Sequence, residues 1–256
     1  MRYVLPVLAL LAAPAKADQV DLELLLLVDV SRSMSAAELE LQRQGYVEAL
    51  RSDAVASALG RALTGRIGLA YVEWAGETRQ RVIVDWRLIE SREDLLAVAD
   101  VLETDRTTRQ SRTSITAALR FGAGYFDDNG FEGMRRVIDI SGDGPNNQGG
   151  LVTAVRDAVV VKGITINGLP LMTDDGAFMR IDDLDRYYQL CVIGGPGAFV
   201  MPVTGWEDFA EAVTRKLVLE IAGAPEERVI PVQSAAAYDC EIGEKMWRRM
   251  RMDSDF

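Results

Sequence analysis

Histidine is absent from the 256 residues of this chain. That absence removes histidine-based triads, histidine general bases and histidine-ligated zinc. Basic residues are also in short supply: Lys and Arg number 28 against 39 Asp and Glu, a net charge of −11. So acidic a chain is a poor binder of nucleic acid and of anionic lipid. No glycine-rich phosphate loop of the Walker type occurs, which argues against nucleotide binding. Beyond the N-terminus no apolar run is long enough to span a bilayer. There is no internal repeat and no low-complexity segment.

Met1-Arg2 is followed by an apolar run from Val4 to Ala13, then Pro14 and Ala15-Lys16-Ala17. A charged start, a short apolar core and an Ala-x-Ala end read as a secretory signal peptide cleaved after Ala17. The alternative, an uncleaved anchor, would need a longer apolar run. No cysteine follows the cleavage point, which argues against a lipoprotein. Cleavage removes Arg2 and Lys16 and takes the net charge from −11 to −13. The expected location is periplasmic or secreted. In an exported chain, the only two cysteines, Cys191 and Cys240, read as a disulfide, with two unpaired buried thiols as the alternative.

Leu24-Leu25-Leu26-Leu27-Val28 is too continuous an apolar run for a half-exposed strand and fits one buried on both faces of a parallel sheet. It stops at Asp29-Val30-Ser31-Arg32-Ser33. Alternate side chains of an extended segment leave on one side. Asp29, Ser31 and Ser33 therefore converge just beyond the carboxyl end of a central strand, where open α/β sheets bind ligands. All three offer hard oxygen, suited to Mg²⁺, Ca²⁺ or Mn²⁺. Ser35 and Glu38 have the spacing of a capping box and predict a helix start. Taken alone, the cluster reads equally well as capping chemistry.

Further on, the apolar spacing predicts a helix over 39–59, then strands over 66–74 and 81–86 joined as an antiparallel hairpin. Glu73 and Asp85 in those strands read as solvent-facing or arginine-paired. A helix over 91–103 is followed by a polar loop and by Arg112-Thr113-Ser114 opening a helix that runs to Tyr125. Thr113 or Ser114 is either the N-cap or a further oxygen ligand. A strand over 134–141 ends in Gly142-Asp143-Gly144, an exposed carboxylate or a simple turn. Asp139 within it reads as a buried, hydrogen-bonded carboxylate. A helix over 151–161, a strand over 164–169, a short helix near 182–188, a last strand over 198–203 and a helix over 207–222 complete the pattern. The aspartates from Asp174 to Asp185 lack the spacing of an EF-hand loop. The basic end near Lys245 to Arg251 reads as a solvated helix lying against its own acidic domain, with docking on a partner or membrane as the alternative.

Strand, helix, hairpin, then alternating helix and strand make a doubly wound α/β domain: a mostly parallel sheet, one antiparallel edge strand, helices on both faces. The expected division is 1–17 signal peptide, 18–222 domain, 223–256 tail.

Asp29-x-Ser31-x-Ser33 after an apolar strand, Thr113 before a helix and Asp143-Gly144 after a strand resemble a von Willebrand factor A domain with its metal-ion-dependent adhesion site. The segments 137–147 and 192–200 are similar to an exported bacterial branch of that superfamily of unknown function. The resemblance implies that Asp29, Ser31, Ser33 and Thr113 are oxygen donors, with Asp143 binding directly or through water. It implies a divalent cation, Mg²⁺ or else Mn²⁺ or Ca²⁺, that engages an acidic residue of another protein and couples to a helix shift. Two departures stand out: Gly142 replaces a hydroxyl-bearing residue, and Arg32 places a cation in the first loop. A non-enzymatic binding module is the first expectation. A metal-assisted hydrolase, which lacks a recognisable base, and a structural protein with a fold-stabilising cation are the alternatives.

Overall fold

The computed structural model describes residues 17–173, 180–223 and 238–253. Residues 1–16 of the proposed signal peptide therefore lie outside the described residues, as do residues 174–179 of the acidic connection. After a short strand β1, Asp18–Val20, the strand β2, Leu22–Asp29, is buried at all eight positions. The cause is the continuous leucine run. Leu22, Leu24, Leu26 and Val28 join one core, and Leu25 and Leu27 join another on the opposite face of the sheet. Burial of each such side chain contributes about 1.5–3 kcal/mol, so this strand anchors both halves of the core.

Two helices follow, α1 (Ala36–Arg51) and α2 (Asp53–Arg61). One helix is expected there. Ser52 divides it, its hydroxyl donating to the Ala49 carbonyl at 2.7 Å and accepting from the Val55 amide at 3.2 Å. Strands β3 (Ile67–Trp74) and β4 (Gln80–Ile89) pair antiparallel, and the helix α3 spans Arg92–Thr104. Helix α4 (Ile115–Tyr125), a short strand β5 (Phe131–Gly133) and strand β6 (Arg136–Gly142) come next. Helix α5 (Val152–Val161) leads through Gly163, at φ +75°, into β7 (Ile164–Pro170). The main sheet runs β4-β3-β2-β6-β7, with β4 the antiparallel edge. β1 and β5 pair separately, in parallel.

The last strand expected over 198–203 does not form as a ladder. This segment follows β7 through isolated bridges, Gly168 to Val200 and Leu171 to Val203. The two bridges keep one register, but Pro170 on β7 has no amide to donate to the Met201 carbonyl between them, which interrupts the ladder. A one-turn helix α6 (Leu184–Tyr187) passes into a π-helical turn, Tyr188–Val192, and α7 spans Phe209–Ala222. Helix α8, Ile242–Asp253, is tied back by a disulfide between Cys191 and Cys240. Among the described residues no helix is long and apolar enough to cross a membrane.

One buried charge cluster supports the sheet. Lys216 Nζ on α7 lies 2.8 Å from Asp139 Oδ1 on β6 and 2.5 Å from Glu220 Oε1. Asn167 Nδ2 donates to the same Glu220 oxygen at 3.0 Å. Two carboxylates thus share one ammonium. Burial, and then Glu220, push the Asp139 carboxyl up to about 7 against the pull of Lys216. Burial opposes the Lys216 charge, but Asp139 and Glu220 outweigh it and hold the ammonium above its ordinary range. A carboxyl that keeps its proton longer when folded than when unfolded loses stabilising effect as pH rises. Its contribution therefore declines between about pH 4, where the unfolded group ionises, and about 7. Asp139→Asn should flatten that part of the urea-midpoint profile; parallel profiles for variant and wild type would show that Asp139 is ionised throughout.

Candidate metal centre

The first loop is held rigidly at both ends. Asp29 ends β2, and the Gln42 amide on α1 donates to its carbonyl at 2.9 Å. Ser35 caps α1: its hydroxyl accepts from the Glu38 amide at 3.2 Å, and Glu38 Oε2 accepts from the Ser35 amide at 2.7 Å. Within the loop, Asp29 Oδ1 accepts from the Ser31 amide at 2.8 Å. The Ser31 and Ser33 hydroxyls are 2.7 Å apart, and Ser33 donates to Asp143 Oδ1 at 2.6 Å. Hydroxyls from one loop therefore bridge to a carboxylate 110 residues away.

Asp143 follows β6, and both it and Asp29 are fully buried. Thr113, in the loop before α4, is also buried and is joined to the Asp143 loop through backbone. Its amide donates to Asn147 Oδ1 at 3.1 Å, and the Asn147 amide donates to its carbonyl at 2.9 Å. Ser114, not Thr113, is the N-cap of α4, accepting from the Ala117 amide at 3.2 Å.

The site carries more buried negative charge than its surroundings neutralise. Burial, and then the Asp143 carboxylate, hold the Asp29 carboxyl well above its ordinary range. Burial also raises the Asp143 carboxyl, against the Ser33 hydrogen bond and Arg180. Among the described residues Asp29 Oδ2 meets no hydrogen-bond donor at bonding geometry, although the Ser31 hydroxyl and the Asp143 amide favour the charged carboxyl. A buried carboxylate oxygen left without partner is costly, and a cation would satisfy it. Among the described residues no three acidic, cysteine or histidine side chains cluster for a metal. The donors here are two carboxylates with hydroxyls, a hard-oxygen set that suits a divalent cation.

Several residues around the site have no obvious sequence signal. Arg180 Nη2 lies 3.4 Å from Asp143 Oδ2 and 4.0 Å from Glu38 Oε1. Asn146 organises the third loop. Its amide donates to the Tyr187 hydroxyl at 3.1 Å, its Oδ1 accepts from the Thr116 amide at 3.1 Å, and its Nδ2 donates to the Gly150 carbonyl at 3.0 Å. The same Nδ2 donates to Glu244 Oε1 on α8 at 2.6 Å. Gly243 permits this approach, since a Cβ there would lie 2.1 Å from the Asn146 carbonyl oxygen. The Arg112 guanidinium sits 3.4 Å from the Trp247 ring centroid. The described part of the tail thus packs against its own domain, on the loops that carry Thr113 and Asp143.

The fold is that of a von Willebrand factor A domain. Proximal thread matrix protein 1 from the mussel byssus, solved with a zinc-occupied MIDAS motif, superposes with a TM-score of 0.58 at 11% identity, over 81% of this chain and 50% of that one. A von Willebrand factor type A protein from Catenulispora acidiphila gives 0.53 at 14% identity, over 79% and 43%. The pilus adhesin SpaC from Lactobacillus rhamnosus GG gives 0.57 at 14% identity, over 81% and 31%. The match spans half or less of each of those chains, and at such identities it shows the fold alone. The chain belongs to the family described as "Protein of unknown function (DUF1194)", whose model matches residues 19–225. No curated protein sequence matches it.

If Asp29 is an uncompensated buried charge, Asp29→Asn should melt higher than wild type in a chelator, by about 2–4 °C for each kcal/mol relieved. The same variant should lose the stabilisation that added Mg²⁺ gives wild type. A lower melting point in chelator would mean that the charge is already neutralised.

Proposed function

We propose that this chain is an exported, metal-dependent protein-binding module of the bacterial envelope, periplasmic or secreted. In this reading Asp29, Ser31, Ser33, Thr113 and Asp143 hold a divalent cation, Mg²⁺ or else Mn²⁺ or Ca²⁺, that engages an acidic residue of a partner protein. The observation that carries the reading is the hydroxyl chain from Ser31 through Ser33 to Asp143, set beside an Asp29 oxygen that has no hydrogen-bond partner among the described residues. A divalent ion among hydroxyls and at most two carboxylates is not fully neutralised. Mg²⁺ keeps water at open positions, and a foreign carboxylate can replace one.

The surroundings favour an acidic partner. Arg32 of the first loop and Arg109 are exposed, as is Arg79, which lines one cavity with Val30. Arg109 reaches the Arg32 carbonyl at 2.6 Å, and Gln110 bridges to Ser31, which brings their loops together. Such positive potential on an otherwise acidic protein steers an acidic segment to this edge. The names of similar structures, a matrix protein with an occupied MIDAS motif and a pilus adhesin, support the same reading. We read the module as non-enzymatic, since the sequence holds no histidine to act as base.

The full burial of Asp29 and Asp143 favours one other reading, a cation that stabilises the fold and meets no partner. Affinity capture from envelope extract separates the two. The adhesion reading expects proteins retained in Mg²⁺, released by chelator, and reduced about tenfold or more with Asp29→Ala. Equal recovery in all arms would leave only the structural cation.

A further inference from the structure

The third loop has no hydroxyl just before Asp143, because Gly142 stands there. The structure shows what occupies the space. A Cβ on Gly142 would lie 2.7 Å from the Tyr188 hydroxyl and 3.0 Å from Asp29 Oδ2. Two oxygens, one from α6's π-helical extension and one from the end of β2, therefore border the same small volume. Both are fully buried, and neither has a hydrogen-bond partner among the described residues. One is a phenol, protonated at neutral pH and able to donate; the other is a carboxylate oxygen able to accept. An unsatisfied buried polar atom costs about 1–3 kcal/mol, so two such atoms facing one space call for a shared role.

The backbone supports that role. Tyr188 opens the π-helical turn Tyr188–Val192. Such turns are rare and recur at functional sites, because the extra residue re-aims the side chains. The neighbouring Tyr187 hydroxyl accepts from the Asn146 amide, and Cys191 in the same turn is bridged to Cys240. The turn is thus fixed to the third loop on one side and to the C-terminal segment on the other.

We propose that the Tyr188 hydroxyl serves the cation site in place of the hydroxyl that Gly142 cannot carry: when an ion is held, it donates to Asp29 Oδ2 and keeps that carboxylate in the orientation that meets the ion. This is a positioning residue, and the proposal rests on the cation reading above. Glycine at 142 is then a requirement, since only a hydrogen leaves room for the phenol oxygen. Partners that orient metal-ligating groups typically matter by about 10–100-fold in metal affinity.

Titration calorimetry of the purified protein with Mg²⁺ and with Mn²⁺, alongside thermal melts in chelator, tests this on Tyr188→Phe. The expected result is an affinity about tenfold or more below wild type, with the chelator melt unchanged or higher because an unsatisfied hydroxyl is gone. Gly142→Ser should weaken binding in the wild-type background, where its Cβ meets the phenol, and recover affinity in Tyr188→Phe, where a hydroxyl returns to the vacated space. Wild-type affinity in Tyr188→Phe would overturn this proposal and leave the cation reading standing. A matched loss of affinity and of chelator-state stability, with no recovery in the double variant, would assign Tyr188 a packing role and overturn it too. Uptake of neither metal by wild type would remove both proposals.

Discussion

Two carboxylates buried at the carboxyl edge of one sheet, with too little positive charge around them, set the terms for the rest of this molecule. Asp29 and Asp143 reach the same point because β2 and β6 are adjacent parallel strands that end together. Neither can turn to water, since both loops are closed over by hydrogen bonds from Gln42, Ser33 and Arg180. Like charges confined in a poorly solvated space either take up a proton or take up a cation. The hydroxyls of Ser31 and Ser33 favour the charged carboxylates but do not outweigh burial, and they fix where the charge sits. A site of this kind has a reason to bind an ion before any partner is considered.

The strain is tolerable because the scaffold beneath is firm. β2 is sealed on both faces, and a second charged cluster, Asp139 with Lys216 and Glu220, ties β6 to α7. On the open side the C-terminal helix supplies what the loops lack. Through Glu244, Gly243 and Trp247 it reaches Asn146 and Arg112, and its disulfide fixes the turn that carries Tyr188. Third loop, π-helical turn and tail therefore form one connected support for Asp143.

Much of this was legible from residue order. The leucine run, the capping box at Ser35 and Glu38, the hairpin and the spacing of Asp29, Ser31 and Ser33 are local signals, and local physics produces them. What escaped depends on partners far apart in the chain. Lys216 reads as a solvent-facing lysine in a helix, and only the fold supplies Asp139 to bury it. Arg180 lies in an acidic stretch with nothing to mark it as the ion-pair partner of Asp143. Ser52 looks like one more polar residue in a helical pattern, yet its hydroxyl serves both helix ends. The segment 198–203 has strand composition, but Pro170 on the strand beside it lacks the amide that would complete the ladder. The choice between Thr113 and Ser114 needed the structure, which gives the capping to Ser114.

The central claim is that a metal ion belongs between the loops of Asp29 and Asp143. Crystals grown with Mn²⁺ and measured at a wavelength sensitive to that metal would locate it without assumption. The account predicts one anomalous peak within coordination distance of Asp29, Ser31 and Ser33, with Arg180 displaced no nearer than the carboxylate it faces. No peak there, or the Arg180 guanidinium in its place between the two carboxylates, would contradict it.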